Sequence, residues 1–147
     1  MIFHHLILRV VTKLLVGTII LFALYVQFHG DFSPGGGFQA GVIMAVAFIL
    51  YGIVFSLEAA KKVFPEWFVH KLSALGVLIY AGTGIVTMIL GYDFLDYDAF
   101  SPLHPTYGQH WGLLIIEFGV GVTVTGVMVA IYYAFAGRPP CISDEEW

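Results

Sequence analysis

Long apolar runs alternate with short polar segments along the whole chain. The runs cover about 6–28, 38–57, 72–90 and 111–135. Each is close to the roughly 20 residues that a helix needs to cross about 30 Å of hydrocarbon. The pattern therefore predicts an all-α integral membrane protein whose four transmembrane helices form a single domain over residues 1–147.

Composition agrees with a membrane location and excludes several other classes. Hydrophobic residues make up 59% of the chain and charged residues 11%, against about 25% charged in a typical soluble domain. A chain of 147 residues has too little interior to hide this much apolar surface. The net charge of −4, without a basic patch, argues against nucleic acid as a partner. The single Cys141 permits neither an internal disulfide nor a thiolate metal site.

The first run begins with two basic residues, Arg9 and Lys13, whose long side chains can reach the headgroups. A small-x-small cleavage pattern is missing before Gly30, so we expect this helix to be retained rather than removed as a signal peptide. All six Lys and Arg residues fall on one side of the predicted membrane: Arg9, Lys13, Lys61, Lys62, Lys71 and Arg138. The distribution predicts that both termini and the middle loop are cytoplasmic.

Small residues recur at four-residue spacing in the second and fourth runs, which favours close helix packing in lipid. The pairs are Gly41 with Ala45, Gly121 with Thr125, and Gly126 with Ala130.

A glycine-rich segment joins the first two predicted helices. Pro34 fixes its own φ, and Gly35, Gly36 and Gly37 allow backbone angles and close approaches that a Cβ would forbid. The segment must therefore bend sharply, either as a tight outer turn or as a re-entrant turn beside an ion path. A phosphate-binding loop is disfavoured, because the Lys and Ser/Thr that follow the glycines of a P-loop are missing.

The run Pro34, Gly35, Gly36, Gly37, Phe38, followed by Gly41, resembles the hallmark of the MnhB-like subunits of the Mrp-type multisubunit sodium/proton antiporters. The resemblance extends over nearly the whole chain, through a Leu57-Glu58 pair at the end of the second run, Pro65, and Glu117-Phe118-Gly119-Val120. Two positions depart from the family pattern. Asp31 and Phe32 stand where members often carry His or His-Asn, and Ala40 stands where glycine is common. Any proton role of that His would pass to Asp31 or His29.

Glu117 is an acidic residue at membrane depth. It lies about six residues, or roughly 9 Å, inside the outer end of the fourth run. A charge near the bilayer centre costs about 2.5–3.5 kcal/mol, so protein or water must receive this carboxyl. Helical spacing places Glu117 on one stripe with His110, Gly121 and Thr125, which makes this stripe the candidate ion-facing surface. The competing interpretation is a carboxyl that bonds to a neighbouring subunit and serves assembly alone.

The remaining polar residues do not indicate a cofactor. The six histidines lie at the ends of runs or in loops, so we expect neither haem nor a metal site. The segment from Tyr92 to His110 holds three aspartates among aromatic residues. It is typical of an outer loop anchored by aromatic side chains, although the carboxylates would also concentrate cations at an entrance.

No nucleophile with an adjacent base, metal cluster or nucleotide motif is present, so we expect no enzymatic activity. The resemblance implies an accessory membrane subunit of a hetero-oligomeric antiporter that exchanges Na⁺ for protons in a prokaryotic inner membrane, with other membrane subunits as partners. It equally implies the corresponding ion-pumping module of a membrane-bound hydrogenase-type complex. A purely structural scaffold subunit and an unassisted small channel are two further hypotheses that the residues leave open.

Overall fold

A computed structural model describes residues 2–30 and 35–138, with the side chains of residues 2–5 and 105 left out. This part of the chain forms α1 (Ile2–Phe28), α2 (Gly37–Phe55), α3 (Leu57–Val63), α4 (Glu66–Ile89), a 3-10 helix (Tyr97–Phe100) and α5 (Pro105–Ala136). The helices α1, α2, α4 and α5 are long and apolar enough to cross a membrane, over Leu6–Phe28, Gly37–Phe55, Glu66–Ile89 and Thr106–Ala136. In the described ranges, the prediction of an all-helical fold with four helices long and apolar enough to span a membrane is confirmed.

The helices α1, α4 and α5 begin before the apolar runs that predicted them. The helix α4 begins at Glu66, and α5 begins at Pro105, each six residues before the predicted start. Backbone hydrogen bonding continues through polar residues such as Glu66 and Lys71, which stay exposed at the surface. Hydropathy therefore located the apolar part of each helix and missed its polar first turns.

The second helix ends two residues before the end of its apolar run, at a break in the backbone. The helix α2 ends at Phe55, and Ser56 takes a left-handed backbone conformation with φ of 118°. The Ser56 hydroxyl then accepts a hydrogen bond of 3.3 Å from the Ala59 amide and caps α3. The Leu57-Glu58 pair thus opens a short separate helix instead of closing the second span.

The four long helices pack side by side in the order α1, α2, α5, α4. Neighbours in α2 and α5 differ by 80 in residue number, as in Gly37 beside Glu117 and Gly41 beside Gly121. These two helices therefore run parallel. The pair α4 and α5 is antiparallel, and α1 lies at the edge of the row, with 11% of its apolar window buried against 28% for α2.

Five of the basic residues stack on aromatic rings at one end of the row, which we call the basic end. Arg9 and Lys13 lie 5.9 and 5.7 Å from the centre of the Phe55 ring; Lys61, Lys71 and Arg138 stack on Tyr133, Trp67 and Phe135.

The hydrophobic core lies near the basic end and joins α2, α4 and α5. The Phe48 and Phe64 rings stack with centres 4.4 Å apart. The Tyr133 hydroxyl donates a 2.8 Å hydrogen bond to the Phe64 carbonyl, while Val69 and Val129 are fully buried. This core fixes the connection after α3 against α5.

At the other end of the row, a glycine ends α4. Gly91 has φ of 89°, and its amide and that of Tyr92 donate to the carbonyls of Met88 and Thr87, as in a Schellman motif. The fully buried Thr87 hydroxyl lies 3.0 Å from the Asp93 carbonyl and accepts a 3.0 Å hydrogen bond from the Leu95 amide. One side chain thus organises the start of the loop between α4 and α5.

Aromatic side chains of this loop pack onto glycines of the neighbouring helices. The Phe94 ring lies against Gly84, and the Tyr97 ring lies against Gly112. Burial raises the pKa of the Tyr97 hydroxyl, with Tyr80 as a smaller cause, so this side chain stays neutral at physiological pH. The contacts support the interpretation of a loop anchored by aromatic side chains.

Candidate functional site

The Glu117 side chain lies beneath the glycines that join α1 to α2. Its Oε2 is buried. A Cβ placed on Gly30 would lie 2.5 Å from Oε2, and a Cβ on Gly36 would lie 2.8 Å from Oε1. A Cβ on Gly37 would overlap the Glu117 carbonyl oxygen. Three glycines therefore press their backbones against one acidic residue, and we call them, together with Glu117, the glycine cage.

The cage uses glycine for space and not for unusual backbone angles. Gly36 has φ of −166°, an extended conformation that any residue adopts. Among the glycines of the described ranges, the one with φ in the left-handed region is Gly91, far from the cage. The absence of side chains at these positions is what allows backbone amides and carbonyls to approach a carboxyl.

A seam of small residues continues from the cage toward the basic end. A Cβ on Gly41 would lie 2.7 Å from the Gly121 carbonyl oxygen. The Thr125 hydroxyl lies 2.8 Å from the Gly121 carbonyl and 3.2 Å from the Gly41 carbonyl, and donates across the seam. The four-residue spacing that predicted close packing here is confirmed, because the α2 and α5 backbones are in direct contact.

The cage is remote from the basic residues of α1. Gly37 and Phe55 mark the two ends of α2, so the cage lies about 27 Å along the helix from the ring on which Arg9 and Lys13 stack. These two charges are too distant to neutralise Glu117 directly, since the Debye length is about 8 Å at physiological ionic strength.

The structure does not bring all the predicted site residues together. The His29 Nδ1 donates a 3.1 Å hydrogen bond to the Tyr25 carbonyl, and its ring stacks on the Tyr25 ring. His110 is exposed on α5, seven residues from Glu117, with its ring 6.1 Å from that of Trp111. Of the glycine-rich segment, Gly35 lies against Val26 and Phe38 is exposed. Asp31 and Pro34 lie outside the described residues.

Two residues near Glu117 were missed by sequence reasoning. No signal in the sequence singles out Gly30, whose Cβ position lies 2.5 Å from Glu117 Oε2. Gln27 is 7% exposed, and its Oε1 packs onto Gly121, one turn along α5 from Glu117. A glutamine in the uncharged part of the first run was the signal available in the sequence for this second residue.

Two mostly apolar grooves lie beside Phe118, the residue that follows Glu117. An inner groove of about 250 Å³ extends toward the basic end, between α1 and α4, where Phe48, Phe64 and Phe68 line it. An outer groove of about 410 Å³ extends the other way past Ile79 and Trp111. Gln27 and Phe118 line both grooves, and we call the position of these two side chains, between the grooves, the neck.

A buried carboxyl of this kind can bind a proton or coordinate a monovalent cation, and backbone carbonyls and amides are its available partners. No group of three or more His, Cys, Asp or Glu residues that could hold a metal ion occurs in the described ranges.

Comparison with known proteins identifies the family. The family described as "Domain related to MnhB subunit of Na+/H+ antiporter" matches residues 7–130. The protein of Staphylococcus haemolyticus (strain JCSC1435) named "Putative antiporter subunit mnhB2" is 37% identical over 137 residues, which cover 91% of this chain and 96% of that protein. The protein of the same name from Staphylococcus aureus (strain Newman) is 35% identical over 136 residues, with the same two coverages. The chain therefore belongs to the family of domains related to the MnhB subunit of Na⁺/H⁺ antiporters.

Proposed function

We propose that this chain is a membrane subunit of a multisubunit Na⁺/H⁺ antiporter and that the glycine cage around Glu117 takes part in ion exchange. The observation that carries the role of Glu117 is the burial of its Oε2 within a membrane-spanning helix, against the glycine backbones at positions 30, 36 and 37. A carboxyl held in this way binds and releases a small cation without the reorganisation that a flexible loop would require.

The chain acts with other membrane subunits of the complex, and antiport by the isolated chain is not expected. The exposed apolar surface of α1 supports this assignment. This helix packs mainly against α2, and most of its residues remain accessible to lipid or to another subunit. From the positive-inside rule we infer that the basic end faces the cytoplasm, so that both termini lie on the cytoplasmic side of a prokaryotic inner membrane and the cage lies in the outer half of the bilayer.

The antiporter is favoured over the hydrogenase-type host, because the family description and the two relatives name an antiporter. A scaffold role competes on a specific observation: the Glu117 backbone is itself part of the contact between α2 and α5. Removing the carboxyl charge without changing its shape separates the two roles.

The test is Glu117→Gln in the whole complex, with exchange measured as Na⁺-driven proton movement in everted membrane vesicles and assembly measured by co-purification of the subunits. We expect assembly to be normal and exchange to fall at least about 100-fold, the scale of a lost proton-transfer group. Glu58→Gln is the matched control, because Glu58 is exposed in the first turn of α3. Undiminished exchange by Glu117→Gln would remove Glu117 from the path, and lost assembly would support scaffolding.

A further inference from the structure

Gln27 occupies the neck between the inner and outer grooves. Its side chain is 7% exposed, near the end of α1, and both grooves are lined by Gln27 and Phe118 together. A buried amide within a membrane-spanning helix costs free energy unless its donor and acceptor groups find partners. An apolar side chain of the same length would pack equally well here. The amide group of Gln27 therefore requires a reason other than packing.

The neck offers few other polar side chains. Gln27 and Thr125 are the polar side chains along the inner groove. The Thr125 hydroxyl is already engaged with the carbonyls of Gly41 and Gly121. An ordered water needs two to four polar partners, and at the neck the Gln27 amide supplies both a donor and an acceptor.

The Gln27 and Glu117 side chains lie at successive turns of α5, Gln27 reaching this helix from α1. The Gln27 Oε1 rests on Gly121, and Gly121 follows Glu117 by four residues, a rise of about 6 Å along the axis. One water with two hydrogen bonds of about 2.8 Å joins polar atoms about 5.6 Å apart. Of the two polar side chains along the inner groove, Gln27 therefore lies nearer to the level of Glu117.

We propose that Gln27 is a positioning residue that orders the water through which protons pass between Glu117 and the inner groove. The amide does not titrate, so Gln27 carries no charge itself and acts by holding water in place. This inference rests on the proposed function of Glu117.

The experiment compares Gln27→Met, which keeps the length of the side chain and removes its polarity, with Gln27→Glu, whose protonated form restores a donor and an acceptor. Both are made in the whole complex, and Na⁺-driven proton movement is followed in everted vesicles. We expect Gln27→Met to assemble normally and to lower the maximal exchange rate about tenfold with the KM for Na⁺ unchanged. Gln27→Glu is expected to stay within about threefold of the native rate. Leu24→Met, in the same groove, is the packing control and is expected to exchange at the native rate.

A native rate for Gln27→Met would overturn the inference, and so would an equal loss in Gln27→Met and Gln27→Glu, because a packing role predicts that the two behave alike. If Gln27→Met fails to assemble, Gln27→Asn decides: normal assembly with a reduced rate supports the inference, and a native rate overturns it. The outcome is separable from the proposed function. Full exchange activity of Glu117→Gln would contradict both the proposed role of Glu117 and that of Gln27. An inactive Glu117→Gln together with a fully active Gln27→Met would contradict the role of Gln27 alone.

Discussion

Replacing Gly41 by alanine tests the direct contact between α2 and α5. The new Cβ would lie 2.7 Å from the Gly121 carbonyl oxygen and 2.8 Å from the Val124 Cβ, whereas ordinary contact begins at 3.4 Å. Neither atom can move alone, because one belongs to a helix backbone and the other is attached to it. The two helices must therefore separate by about 0.7 Å at this level.

Three contributions set the size of the effect. The 3.2 Å hydrogen bond from Thr125 to the Gly41 carbonyl would be stretched out of range, at a cost of about 0.5–1.5 kcal/mol. Forcing a methyl group into a packed seam costs about 1–3 kcal/mol. Alanine favours the helix over glycine by about 0.5–1 kcal/mol, which offsets part of the loss. We expect a net destabilisation of about 2 kcal/mol.

The measurement is the temperature at which this subunit dissociates from the purified complex in detergent, followed by size-exclusion chromatography after heating. Gly82→Ala is the matched control, because Gly82 also lies within a long helix and a Cβ there meets nothing within 4 Å. Gly41→Ala should dissociate at a lower temperature than the native complex, and Gly82→Ala at the same or a higher one. If the two variants dissociate together, the close approach of α2 and α5 is not what stabilises the subunit.

Two further substitutions probe the cage and the loop between α4 and α5. In Gly30→Ala the Cβ would meet Glu117 Oε2 at 2.5 Å and displace the carboxyl by about 1 Å, so exchange should fall about 10–100-fold with normal assembly. The control is Gly17→Ala, where a Cβ meets nothing within 4 Å and exchange should be normal. Equal exchange rates for the two variants would contradict the close contact between Gly30 and Glu117. Thr87→Val removes the acceptor of the Leu95 amide and should destabilise the loop by about 1–3 kcal/mol, seen as faster proteolysis between residues 92 and 104; an unchanged cleavage rate would show that the hydroxyl is dispensable.

The helices and the seam were predictable because both depend on local patterns. Apolar runs locate the spans, and four-residue spacing of small residues places Gly41 and Thr125 at a helix contact. The break at Ser56 was not predictable, since no glycine or proline marks it and the left-handed backbone there is held by its surroundings.

The environment of Glu117 was only half predictable. Depth and charge singled out the residue, but its partners in the cage lie about eighty residues away in the chain. Such contacts arise from the parallel pairing of α2 with α5, which no periodicity encodes. The sequence also left open whether the glycines serve backbone angles or close approach, and the extended φ of Gly36 decides for close approach.

The parallel pairing of α2 and α5 has a consequence for biosynthesis. At about 5–20 residues per second, a ribosome needs roughly 4–16 s to proceed from Gly41 to Gly121, the two sides of one contact. During that interval the nascent α2 presents a groove of bare backbone to the bilayer with its eventual neighbour not yet made. Lipid or the insertion machinery must cover this surface of α2 until α5 is made. A chain truncated between Gly41 and Gly121 would therefore be prone to degradation.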